Sequence, residues 1–129
     1  MGAIYDLHDD ASFIAAVQEA TLTTKKYGIT QEHGLFASSQ WWQAIDSGVL
    51  PIQRVNGMVT RVYMSGHNDF PEFEVDDGMT KTKWQRFGDP SAYSVGAPVT
   101  IEFVFTKSRF SQENQHTVIR VWLGAKSAA

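Results

Sequence analysis

The segment from Pro71 to Arg86, PEFEVDDGMTKTKWQR, constrains the fold of this chain more than any other stretch. At its centre, Asp77-Gly78 is the dipeptide that a two-residue type I′ hairpin turn favours, because both central residues of that turn need positive φ. The segment therefore predicts a β-hairpin that turns at positions 77 and 78.

This turn fixes which residues of the two strands lie opposite each other. Two pairs of opposite charge result, Glu74 with Lys81 and Glu72 with Lys83. Opposite charges directly across a ladder are favourable, so side-chain pairing supports the register that the turn sets. The same register places Trp84 on the face of Phe73 and Val75, which we expect to point toward the core.

The composition is that of a chain with one hydrophobic core. Of 129 residues, 43% are hydrophobic, and eight Phe, four Tyr and four Trp supply large side chains for burial. Cysteine is absent, which excludes disulfides, thiolate metal sites and a cysteine nucleophile. We expect a single domain over residues 1–129, with a helical part at 1–50, a β-sheet part at 51–124 and a frayed tail at 125–129.

Charge and hydropathy narrow the classes of partner. Residues 1–49 carry six acidic residues against two lysines, and the whole chain has a net charge of −3. This is not the basic balance of a protein that binds phosphates, so nucleic acid is an unfavoured partner. No apolar run is long enough for a membrane span, and the first ten residues do not resemble a secretory signal. These features predict a cytoplasmic protein without a membrane partner.

Two short helices are expected near the start of the chain. The first covers residues 10–20 with Asp10 as its N-cap, and the second begins after Ser38 or Ser39 and ends at Ile45. Trp41 and Ile45 share one face of the second helix. The intervening residues, 21–36, fit a strand or a loop, and the sequence does not decide between them.

After Pro51 the hydrophobic period changes from that of a helix to that of a strand. Five strands are expected: residues 53–64 with a bulge or bend at Gly57, the two arms of the hairpin, residues 99–106 and residues 117–123. The predicted fold is therefore α+β, with the two N-terminal helices packed on a strongly curved, mostly antiparallel five-stranded sheet or small barrel.

Over residues 53–124, this pattern of three strands, a short connection and two strands resembles the oligonucleotide/oligosaccharide-binding (OB) fold. The resemblance is carried by GMVTRVY as a bent first strand, by the acid-rich hairpin and by VGAPVTIEFV as a turn that leads into strand four. It implies a Greek-key barrel that binds ligands on strands two and three. The alternative is a cone-shaped α+β fold like that of ketosteroid-isomerase-like proteins, with an apolar cavity closed by the helices.

Candidate catalytic residues are few. His67 and Asp69 share a polar loop and could act as a general base or bind a metal, but their spacing matches no ligand motif, and a solvated loop is the favoured interpretation. An enzyme with a small-molecule cavity would instead gather His33, Asp46, Tyr63 and Arg61 in that cavity. No nucleophile elbow, phosphate loop or dinucleotide fingerprint occurs. We predict no cofactor and no metal.

Aromatic residues suggest a role in binding. Trp41 and Trp42 are neighbours on a helix and diverge by about 100°, so one can enter the core while the other lies on a flank as an interface anchor. Trp122 is a second candidate of this kind. Arginines also alternate with aromatic residues, as in single-stranded nucleic-acid binding, the further alternative: Arg61 with Tyr63, Trp84 with Arg86, and Arg120 with Trp122.

The function that these patterns favour is a non-enzymatic binding or interaction module, with a homodimer as its expected assembly. Its binding residues would be Trp41, Trp42, Trp122, Tyr63, Arg61 and Arg120.

Overall fold

The computed structural model describes residues 3–67 and 69–124 of the chain. Its helices are α1, Ala11–Thr23, and α2, Ser39–Asp46, and its strands are β1, Tyr5–Asp6; β2, Gln53–Ser65; β3, Phe70–Asp76; β4, Lys81–Gln85; β5, Pro98–Lys107; and β6, Asn114–Leu123. The strands form one antiparallel sheet in the order β1-β6-β5-β2-β3-β4. The predicted α+β class is therefore confirmed. The tail predicted at 125–129 lies outside the described residues.

Within residues 3–67 and 69–124 the sheet has six strands and is not closed, so the expected count of five strands and the OB-like barrel are wrong, whereas the antiparallel sheet, the other expected form, is confirmed. Its edges are β1 and β4. The additional strand, β1, lies beside β6, where the Ile4 amide donates to the Val121 carbonyl at 2.8 Å. A strand of two residues has no alternating pattern, which is why the sequence did not predict it.

The described residues divide into two compact units, each made of separate stretches of chain. The sheet unit, as we name it, comprises residues 3–5, 54–102 and 120–124. The helix unit comprises Asp6–Gln53 and Phe103–Ile119. The single domain predicted for the whole chain stays a prediction.

In the sheet unit, the predicted hairpin forms, but its register differs by two residues. Asp76 pairs with Lys81 and Glu74 with Lys83, so the loop has four residues, from Asp77 to Thr80. The Asp77 carboxylate accepts hydrogen bonds from the amides of Met79 and Thr80, both at 2.9 Å, and these bonds hold the pKa of Asp77 below its ordinary value. This local capping favours the longer loop.

A slip of two residues keeps every side chain on its predicted face, because the period of a strand is two. Phe73 pairs with Trp84, and both are buried together with Val75. The inward face of the hairpin is therefore confirmed.

The bend in β2 differs from its prediction. The register against β3 shifts at Thr60, between Val59 and Arg61, rather than at Gly57. Gly57 is required for another reason, since a Cβ at this position would lie 2.4 Å from the Asp76 carbonyl oxygen. The glycine thus permits a close approach of two backbones.

In the helix unit, both helices begin where their capping residues predict. Asp10 accepts from the Phe13 amide and Ser38 from the Trp41 amide, each at 3.3 Å. The segment between the helices is mostly loop, with isolated bridges from Ile29 to Ser108 and from Glu32 to Gly34. Neither α1 nor α2 has the length and hydrophobicity of a membrane-crossing helix.

Candidate interaction surfaces

The two neighbouring tryptophans of α2 point to different sides of the helix, as helical geometry requires. Trp41 is buried in contact with Phe36, whereas Trp42 is half-buried and its ring stacks on His8, with centroids 3.7 Å apart. The His8 Nδ1 in turn lies 2.8 Å from a carboxylate oxygen of Asp6. A residue of the same chain therefore covers part of the flank that was expected to anchor a partner.

Arg61 and Tyr63 come together on the polar face of the sheet unit. The Arg61 guanidinium lies 4.4 Å from the centre of the Tyr63 ring, and the Tyr63 hydroxyl donates to Glu72 at 3.0 Å. Desolvation, followed by the hydrogen bond to Glu72, raises the pKa of Tyr63. The predicted pair is thus oriented by an acidic neighbour.

Arg120 and Arg54 both bind the carboxylate of Glu102, which is only 4% exposed. A buried carboxylate needs such partners, since an unpaired charge in the interior is costly. The charge of Arg120 is therefore paired with Glu102 of the same chain. Trp122, the other candidate of β6, is half-buried.

The cavities of the helix unit are small or open. His33 borders a small, partly open space of about 50 Å³, together with residues that include Trp41 and Phe105. It also borders an open groove of about 290 Å³ beside α2. Ligand pockets usually hold about 300–1,000 Å³. Asp46 is exposed and borders neither space, and neither Arg61 nor Tyr63 lines one of them.

His67 and Asp69 are both exposed, and no hydrogen bond joins them. Within residues 3–67 and 69–124, no group of three or more His, Asp or Glu side chains is placed to hold a metal ion.

The sequence reasoning did not single out two exposed aromatic residues of the helix unit. Tyr27 is 60% exposed and Phe110 is 67% exposed, and their rings stack nearly parallel with centroids 6.2 Å apart. Each occurs in a polar segment, KKYG or SRFSQ, where no hydrophobic period directs it to the core. An aromatic residue in such a context is a usable sign of a binding surface.

Exposed aromatic rings and oriented charged side chains are features of protein interaction surfaces. The family model described as Immunity protein RhsI2 matches residues 1–120, and the chain belongs to the RhsI2 immunity protein family. Among the curated proteins, none matches the chain.

Proposed function

We propose that this chain neutralises a protein toxin by binding to it. The observation that carries the proposal is the family match, which extends over residues 1–120 of the 129. An immunity protein is by name one that protects against a toxin. Binding of a cognate toxin is therefore the function we assign to the surfaces described above.

We further propose that protection arises from binding and not from catalysis. The partly open space beside His33 holds about 50 Å³, which suits a water molecule better than an organic substrate. In contrast, the chain carries an exposed pair of aromatic rings and a polar sheet face on which side chains hold one another in place. Rigid surfaces of this kind favour protein recognition, because little side-chain entropy is lost on association.

Co-expression with the toxin tests the proposal. A candidate cognate toxin domain is expressed in cells with or without the chain, and growth is recorded. We expect growth only when the chain is present. Purified chain and an inactivated toxin domain should also form one complex in size-exclusion chromatography with light scattering. Cell death despite the chain, together with separate elution, would refute the proposal.

The dose of the chain separates binding from catalysis. If the chain acts by occupying the toxin, inhibition of the toxin in vitro rises with added chain and is complete near an equimolar ratio. If an amount of chain far below that of the toxin gave complete inhibition, each chain would have to inactivate many toxin molecules, as a catalyst does. This outcome would favour the enzyme alternative.

The homodimer and the cytoplasmic location expected from the sequence stay predictions. Light scattering of the chain alone measures the first, and fractionation of the producing cells measures the second.

A further inference from the structure

Tyr27 and Phe110 leave most of their surface in water although both are large and apolar. Burial of such a ring is worth roughly 1.5–3 kcal/mol, so exposure of two stacked rings forgoes a substantial part of the available folding energy. Their stacking brings two apolar surfaces into one patch. Patches of this kind are characteristic of sites where a partner binds.

One arginine fixes the segment that carries Tyr27. The Arg109 guanidinium donates to the carbonyl oxygen of Thr21 in the last turn of α1, and to those of Thr24, Lys25 and Tyr27 in the segment that follows the helix. The carbonyl of Thr21 is one that a helix end leaves without a helical partner, and a cation is also favoured at this end of the helix dipole. Because Arg109 precedes Phe110, the same contact positions both aromatic residues.

Local hydrogen bonds order the two loops further. The Phe110 amide donates to Ser108 Oγ at 3.2 Å, and the Gln112 amide donates to the Ser108 carbonyl at 2.9 Å. The Tyr27 amide donates to Thr24 Oγ1 at 3.0 Å. The next residue, Gly28, has a φ of +93°, and a Cβ there would collide with the side chain and backbone of Thr21. Both rings thus project from ordered backbone.

The charges around the two rings indicate what they would bind. Lys25 and Lys26 precede Tyr27, both are exposed, and neither ammonium forms an ion pair with any residue in 3–67 or 69–124. The two segments that carry the rings, residues 25–27 and 109–113, together contain three cations, Lys25, Lys26 and Arg109, and one acid, Glu113. This local excess is opposite in sign to the net charge of −3. A complementary surface would therefore place carboxylates around an apolar cleft.

We propose that Tyr27 and Phe110 are the central contact of the toxin-binding surface, and that they enter an apolar cleft of the toxin rimmed by Asp or Glu side chains. This inference rests on the proposed function. Lys25 and Lys26 pair with the rim, while Arg109 is a positioning residue that holds the two rings before the partner arrives. Such preorganisation lowers the entropy lost on binding.

Truncation of each ring is the first test. Tyr27→Ala and Phe110→Ala should each weaken binding to the inactivated toxin domain by about 30-fold or more in isothermal titration calorimetry. Tyr27→Phe keeps the ring and should bind nearly as well as the original chain. Phe70→Ala is the matched control, since Phe70 is also an exposed phenylalanine, at 59%, but belongs to the sheet unit. It should retain full affinity, and circular dichroism verifies that every variant is folded.

Charge reversal is the second test. The double variant Lys25→Glu and Lys26→Glu should slow association with the toxin domain, and added salt should slow association of the original chain more than that of the variant. If the original chain and the double variant associate at equal rates with equal salt dependence, the proposal that Asp or Glu side chains surround the cleft is wrong.

The results separate failure of the surface from failure of the function. If the original chain binds the toxin domain and both ring truncations bind equally well, the surface proposal is wrong while the function stands. If the original chain neither binds nor protects, both are wrong.

Two other binding partners of the surface are also tested: a fluorescent oligo(dT) strand of about 20 nucleotides, and a second copy of the chain, detected by light scattering. Binding of either one that depends on Tyr27 and Phe110 would overturn the assignment to a toxin.

Discussion

At the scale of single residues, His116 links packing to pH. Its ring lies beside those of Phe103 and Phe105, with centroid distances of 4.6 and 5.2 Å. Desolvation of the charged form lowers the pKa of His116 from the ordinary 6.5. In the unfolded chain this side chain regains its ordinary pKa, so the unfolded state takes up a proton at a higher pH than the folded state does.

The direction of the pH dependence follows from this difference. Between the two pKa values the unfolded state binds more protons, so the free energy of unfolding rises with pH over this interval. The contribution of His116 to stability is fully present above pH 6.5 and is lost as pH falls from about 6.5 through the folded pKa. His116→Gln should flatten this slope in urea unfolding measured at several pH values. An NMR titration of the ring gives the folded pKa directly, and a value at or above 6.5 would contradict the prediction.

At the scale of elements, the contact between β2 and β3 depends on the absence of a side chain at Gly57. Gly57→Ala would place a methyl group against the Asp76 carbonyl, which belongs to the backbone and has little freedom to move. Such overpacking costs about 1–3 kcal/mol, so we expect a lower midpoint of urea unfolding. Met58→Ala is the control, because its side chain is half exposed and its loss should cost less than about 0.5 kcal/mol.

Elements that depend on neighbouring residues could be predicted from the sequence. The starts of α1 and α2 follow from Asp10 and Ser38, which cap them directly. The hairpin register could not be fixed in this way. Its acids and lysines alternate on the same face, so a slip of two residues still brings opposite charges together. The capping bonds of Asp77 distinguish the two registers, and turn composition alone did not reveal them.

Structural features formed by residues far apart in the sequence could not be predicted from local sequence patterns. The pairing of β1 with β6 joins the two ends of the chain. Similarly, the exposure of Tyr27 and Phe110 depends on Arg109, which lies more than 80 residues from the carbonyls it binds. For the candidate surfaces, the sequence could indicate the pairing of Arg61 with Tyr63, because alternate residues of a strand share a face. It could not indicate the stacked pair.

At the scale of the whole molecule, neither compact unit is built from one continuous stretch of chain. The sheet unit draws on three segments and the helix unit on two, and both β5 and β6 contribute residues to each unit. A unit assembled from distant segments cannot complete its core until those segments have been brought together. This connectivity agrees with the single domain that length and composition predict.

Thermal unfolding tests that expectation. We predict one transition whose calorimetric and van't Hoff enthalpies agree. Val59→Ala in the sheet unit and Val104→Ala in the helix unit each remove two buried methyl groups, at a cost of about 2 kcal/mol. Because one cooperative transition reports the loss from either core, both variants should lower the same melting temperature by several degrees, roughly 2–8 °C per kcal/mol. Two transitions, each lowered by only one of the variants, would instead mean that β5 and β6 pass through two domains that unfold separately.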